Sequence, residues 1–114
     1  MNKSELIQYC LTFADAYEDY PFSEDANWAA MRHKSNQKTF AFIYEREGKL
    51  CANLKCEPMQ SDFLRGVWPG VVPAYHMNKK HWNTVYINEL PVEELYMMLE
   101  HSYMLTKGSR AQML

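Results

Sequence analysis

The run Lys38-Thr-Phe-Ala-Phe-Ile-Tyr-Glu-Arg-Glu-Gly-Lys-Leu-Cys-Ala-Asn-Leu-Lys-Cys56 decides the fold. Residues 38–45 alternate: Phe40, Phe42 and Tyr44 point one way, and Thr39, Ala41 and Ile43 the other. That is the two-residue period of a strand. Arg46-Glu47-Gly48 reads as a tight turn, since Gly48 takes positive φ without a steric penalty. Residues 49–56 form the returning strand, with Leu50, Ala52, Leu54 and Cys56 on one face. Two alternating runs joined by so short a turn make a hairpin.

Working outward, residues 28–33 (Trp-Ala-Ala-Met-Arg-His) suit a further strand, joined to the hairpin by the polar turn Lys34-Ser-Asn-Gln37. Before it, residues 4–17 read as a helix capped by Ser4, with Leu6, Ile7, Cys10, Leu11, Phe13 and Ala14 at helical spacing. Pro21 blocks any continuation. After the hairpin, Pro58 sits at a favoured first-turn position of a helix reaching about Val67. Its apolar side is Met59, Phe63, Leu64 and Val67, and Trp68-Pro-Gly70 ends it. Residues 71–77 and 81–88 read as two more strands, with Trp82 and Val85 as core members of the second. Pro91 opens a last helix whose first turn holds Glu93 and Glu94, where they complement the helix dipole. Val92, Leu95, Leu99 and Ser102 share one face of it, and Gly108 closes it. The expected order is α-β-β-β-α-β-β-α. This is an α+β fold, a mainly antiparallel sheet of about five strands with helices packed on one face.

The chain has 114 residues, and residues 1–114 read as one domain. At 47% hydrophobic and 14% aromatic it has material for a core and is no disordered tail. No apolar run approaches the roughly 20 residues of a membrane helix. The N-terminus lacks a signal-peptide stretch, so the expected location is cytoplasmic, with no membrane partner and a monomer favoured. Three widely spaced cysteines, Cys10, Cys51 and Cys56, match neither a disulfide framework nor a zinc site. They read as reduced, buried thiols.

The net charge of -2 conceals a pattern. Residues 1–28 hold six acids against Lys3, whereas residues 29–82 hold nine bases against four acids. A basic middle of this kind presents one face to a polyanion.

The segment Pro69-Gly70 … Pro73-Ala74-Tyr75-His76-Met77-Asn78-Lys79 … His81-Trp82-Asn83-Thr84-Val85 resembles the signature of the MmcQ/YjbR-like proteins. The tail Leu90-Pro91-Val92-Glu93-Glu94-Leu95 … His101-Ser102-Tyr103 does so too. The resemblance covers nearly the whole chain. It implies a fold similar to the CyaY/frataxin group and a DNA-binding label that rests on a double-wing shape. It brings no catalytic residues with it.

The residues and the resemblance together lead to a nucleic-acid-binding reading, with DNA as the partner. Basic hairpin turns supply Arg32, Lys34 and Lys38, and the 75–82 segment supplies Tyr75, His76, Lys79, Lys80 and His81. Lys and Arg neutralise phosphates and release counterions. An aromatic such as Tyr75 stacks on an exposed base. Arg46 and Lys49 flank the second turn. Against this stands a pI of about 6.1, far below that of a dedicated nucleic-acid binder. The alternative is an acidic metal patch in which Asp15, Glu18 and Asp19 share a helix face, an arrangement the frataxin analogy extends to iron. A protein or small-ligand module built on the Met and Tyr content is a further class. No nucleophile elbow, phosphate loop or paired-histidine motif occurs, so no enzyme and no cofactor is expected.

Overall fold

The hairpin is present, in a computed structural model that describes residues 1–22 and 24–108. In chain order the elements are α1 (Lys3–Cys10), β1 (Ala16–Asp19), β2 (Ala29–His33), β3 (Thr39–Arg46), β4 (Lys49–Lys55) and α2 (Pro58–Val67). They continue with β5 (Val71–Pro73), β6 (Trp82–Tyr86), a 3-10 turn at Ile87–Glu89, and α3 (Val92–Thr106). The six strands form one antiparallel sheet in the order β1-β2-β3-β4-β6-β5. The α+β class holds, with one strand more than expected.

The extra strand comes from the region read as helix. The helix over 4–17 stops at Cys10, and its cap is Asn2, not Ser4. Asn2 and Glu5 form a reciprocal capping box, with the Glu5 amide donating to Asn2 Oδ1 at 2.8 Å. Asp15 then takes a left-handed φ of 66°, which an aspartate tolerates, and redirects the chain into β1. Tyr17 and Asp19 therefore alternate with Glu18 instead of joining it on a helix.

One row of side chains crosses the sheet: Ala29, Ile43, Ala52, Val85 and Val71 lie in register and are at most 2% exposed. Leu6, Ile7 and Cys10 of α1, Leu64 of α2, and Leu95, Leu99 and Tyr103 of α3 join the same core. All three helices thus cover one face. A fully buried Leu such as Leu99 stabilises by about 1.5–3 kcal/mol.

β3 departs from strict alternation. Between the pairs Met31↔Ala41 and Arg32↔Thr39 the register slips by one residue. Phe40 is the extra residue of this bulge, and it joins Ala41 and Ile43 in the core instead of Phe42 and Tyr44. There it packs against Phe13, His33 and Tyr103. Ser102 of α3 is fully buried above the bulge. It donates to the Phe40 carbonyl at 2.6 Å and accepts from the Lys55 amide at 2.9 Å.

α2 is rotated from its expected orientation. Ser61 and Leu64 face inward, while Met59, Phe63 and Val67 are 87%, 61% and 47% exposed. The cause is polar: Asn83 Oδ1 on β6 accepts from Ser61 Oγ at 2.8 Å and from Arg65 Nε at 2.7 Å, which fixes the helix face. Val92 on α3 is likewise 40% exposed.

Candidate nucleic-acid interface

Among the described residues no helix covers the other face of the sheet. Strand parity places Tyr17, Asp19, Ala30, Arg32, Phe42, Tyr44, Arg46, Asn53, Trp82 and Thr84 there. Trp28, just before β2, lies flat on Tyr44 with centroids 3.9 Å apart and planes 13° apart. Phe42 meets Trp28 on one side and Trp82 on the other, at 6.2 Å each. Trp82 is therefore a half-buried member of this outer face and not a core residue.

The β5–β6 loop folds onto this face because a buried polar network pulls it down. Asn53 Oδ1 accepts from Tyr44 Oη and from Thr84 Oγ1, both at 2.7 Å. Asn53 Nδ2 donates to the Tyr75 carbonyl at 2.9 Å, and the Tyr75 amide donates to Thr84 Oγ1 at 2.8 Å. Both backbone groups of Tyr75 are thereby satisfied by side chains from the sheet. Burial pushes the Tyr44 hydroxyl up to about 12, so it stays a neutral donor. The strand expected over 71–77 accordingly ends at Pro73.

The Tyr75 ring is held over the sheet with the Arg46 guanidinium 4.1 Å from its centroid and the His76 ring tilted against it at 3.9 Å. Arg46, Tyr75, His76 and Lys79 line a cleft of about 350 Å³ whose base includes Thr84. Arg65 anchors the far side of the loop by donating to the carbonyls of Lys79 and Trp82.

The residues expected to bind nucleic acid do not form one patch. Tyr75, His76 and Lys79 come together with Arg46. Lys80 is exposed in the same loop, while His81 is half-buried and its carbonyl accepts from the Cys56 amide at 2.8 Å. Lys34 and Lys38 are exposed in the β2–β3 turn, at the opposite end of β3 from Arg46. At roughly 3.3 Å per residue, the eight residues of β3 separate the two groups by about 25 Å. Arg32 is committed elsewhere: Nε stands 2.9 Å from Asp19 Oδ2, in charge contact without hydrogen-bond alignment, and Nη1 donates to the Gln37 carbonyl.

The acidic patch does not assemble. Asp15 Oδ2 accepts from the Ser35 amide at 2.8 Å, and that bond, more than the nearby cations, lowers the Asp15 pKa. Glu18 is exposed and takes the Tyr20 hydroxyl, whereas Asp19 points to the other face toward Arg32. Among the described residues no three His, Cys, Asp or Glu side chains converge as metal ligands.

A family model described as YjbR matches residues 11–105. The chain belongs to the YjbR family. It is 35% identical over 104 residues to the uncharacterised protein YjbR of Escherichia coli K12, covering 90% of this chain and 85% of that one. To the uncharacterised protein YyaQ of Bacillus subtilis it is 36% identical over 100 residues, covering 78% and 84% of the two chains. A crystal structure of a Pseudomonas syringae protein matches with a TM-score of 0.84 at 31% identity, covering 94% of this chain and 100% of that one. A Deinococcus radiodurans protein matches with a TM-score of 0.79 at 30% identity, over 90% and 75%.

In this YjbR-family chain the sequence reading missed Trp28 and Phe42 as surface aromatics and did not separate Arg46 from the other bases. The signal that finds them is strand parity: Trp28, Ala30 and Arg32 share a face, as do Phe42, Tyr44 and Arg46.

Proposed function

We propose that this protein binds nucleic acid, DNA first, on the helix-free face of its sheet, with no catalytic step. The observation that carries the reading is Arg46. Its guanidinium rests on Tyr75 and has no carboxylate partner among the described residues, so its donors are unspent. Farther along the same face stand the half-buried rings of Trp28, Phe42 and Trp82, and Lys79 lines the cleft with Arg46. Aromatic rings beside unpaired cations form a stacking platform with a phosphate track, the arrangement single-stranded nucleic acid uses. The exposed Lys34 and Lys38 at the β2–β3 turn give a second phosphate contact, one wing of the double-wing reading. We take the frataxin-like description of the fold and a cytoplasmic location as parts of the same proposal.

The test is fluorescence anisotropy of labelled single-stranded and duplex DNA, at low and moderate salt. Binding should be tighter to the single strand and fall with salt. Arg46→Ala with Lys79→Ala should flatten the salt dependence by about 0.7 per lost phosphate contact. Phe42→Ala should weaken single-strand binding about fivefold or more, as the loss of one stacked base does. No binding at low salt, or binding indifferent to Arg46 and Phe42, refutes the proposal.

A further inference from the structure

A second cavity lies on the helix side, away from the platform. It has a volume of about 440 Å³ and opens between α2 and α3 above the end of β4. That volume is within the range of small-molecule sites, roughly 300–1,000 Å³. Leu54, Leu64, Val85 and Met98 form its apolar floor, all at most 8% exposed. Its mouth carries Glu57, Glu94 and Glu100 against one cation, Lys55. None of these four charges is in an ion pair among the described residues. Three unpaired carboxylates around one apolar opening favour a cation at the mouth.

Polar groups also face the cavity: Gln60, Asn83 and His101, whose Nε2 is buried without a hydrogen-bond partner among the described residues. Asn83 is 2% exposed. Its Oδ1 is taken by Ser61 and Arg65, and its Nδ2 has no hydrogen-bond partner among the described residues. That N–H keeps access to the cavity, so water or a ligand acceptor can take it.

We propose that this cavity binds a small organic cation: an ammonium group in the acidic mouth that Glu57, Glu94 and Glu100 surround, an apolar body on Leu64, Val85 and Met98, and an acceptor oxygen at Asn83 Nδ2. The charge sits at the mouth, where it keeps part of its hydration, while the body leaves water entirely. Such a ligand satisfies each feature at once; an anion or a plain hydrocarbon satisfies one.

Tyramine carries all three groups and is a suitable probe, with its neutral analogue tyrosol and the anion 3-(4-hydroxyphenyl)propionate as controls. Amide and methyl NMR shifts of the full chain should locate tyramine at Leu64, Val85 and Met98, with millimolar or tighter affinity. Tyrosol should bind severalfold more weakly, and the anion should produce no shifts. Glu94→Gln with Glu100→Gln should weaken tyramine about fivefold and leave tyrosol unchanged, as expected for partly exposed charge pairs. Met97 is 64% exposed at the rim, so Met97→Trp closes the mouth without touching the core and should abolish binding. The proposal is overturned by absent shifts, by equal binding of the three probes, or by full affinity in the Met97→Trp variant. DNA binding on the opposite face succeeds or fails separately, because none of these residues belongs to it.

Discussion

Asn53→Leu removes the centre of the network that holds the β5–β6 loop, with the same branching and number of side-chain heavy atoms. Asn53 serves three groups: the Tyr44 hydroxyl, the Thr84 hydroxyl and the Tyr75 carbonyl. Tyr44 and Thr84 are each 1% exposed, so leaving one unpaired costs about 1–3 kcal/mol. The two hydroxyls stand 3.4 Å apart and recover part of that by bonding to each other. The Tyr75 carbonyl belongs to a half-buried loop residue and finds water. The expected loss is therefore about 2–4 kcal/mol, against a stability of roughly 5–15 kcal/mol for a domain. With a urea slope of about 1–3 kcal/mol per molar, the unfolding midpoint should fall by roughly 1–2 M. Tryptophan fluorescence reads it directly, since Trp28 stacks on Tyr44 and changes environment when the loop lifts. Thr84→Val added to Asn53→Leu should cost less than Thr84→Val alone, because the Asn53 partner is already gone while the Tyr75 amide is left unpaired in both backgrounds. A midpoint moved by less than about 0.3 M, or full additivity of the two substitutions, refutes the claim that Asn53 organises the loop.

Three further outcomes follow from buried groups. Ser102→Ala leaves the Phe40 carbonyl and the Lys55 amide unpaired at the bulge, and should lower urea-measured stability by about 2–4 kcal/mol with the fold retained by circular dichroism. Burial lowers the pKa of His33, which meets Thr106 Oγ1 at 2.7 Å. The unfolded chain then holds the proton more tightly, so stability is full above the unfolded value of about 6.5 and drains as pH falls toward the lowered folded value. Urea midpoints at neutral and mildly acidic pH should show this loss in the wild type and a smaller one in His33→Phe. Burial also raises all three thiols, Cys10 to about 12, so a disulfide reagent should label none of them rapidly until denaturant is added.

Much of the fold was legible because its strands obey a simple period. The β3–β4 hairpin was readable from alternation and from Gly48, whose φ of 77° is the turn conformation expected of it. Elements whose orientation depends on distant partners were not. α2 carries an amphipathic stripe of Met59, Phe63 and Val67, yet Asn83, 22 residues beyond Ser61, turns that stripe to solvent. The bulge that moves Phe40 inward is fixed by Ser102, 62 residues away. β1 was hidden because Leu11, Phe13 and Ala14 continue the helical spacing past Cys10. The helix ends at Cys10, and Asp15, held by a contact with Ser35 that no local pattern announces, turns the chain into β1.

The site shows the same limit more sharply. Arg32 and Arg46 look equivalent in sequence: each is an arginine at the end of a strand, next to a turn. In the fold Arg32 is spent on Asp19 and the Gln37 carbonyl, so recruiting it to a phosphate first means breaking those contacts. Arg46 leans on a ring face, a contact that leaves all five of its N–H donors without a partner among the described residues. A phosphate therefore gains a fork of hydrogen bonds from Arg46 without displacing a carboxylate. The difference arises at Asp19, which reaches Arg32 only because residues 16–19 form a strand. Had they stayed helical, Arg32 would keep only its bond to the Gln37 carbonyl, and the acidic residues would line a helix. The same short strand thus removes one basic candidate, dissolves the metal patch, and leaves the platform around Arg46 and Tyr75 as the polyanion site to test.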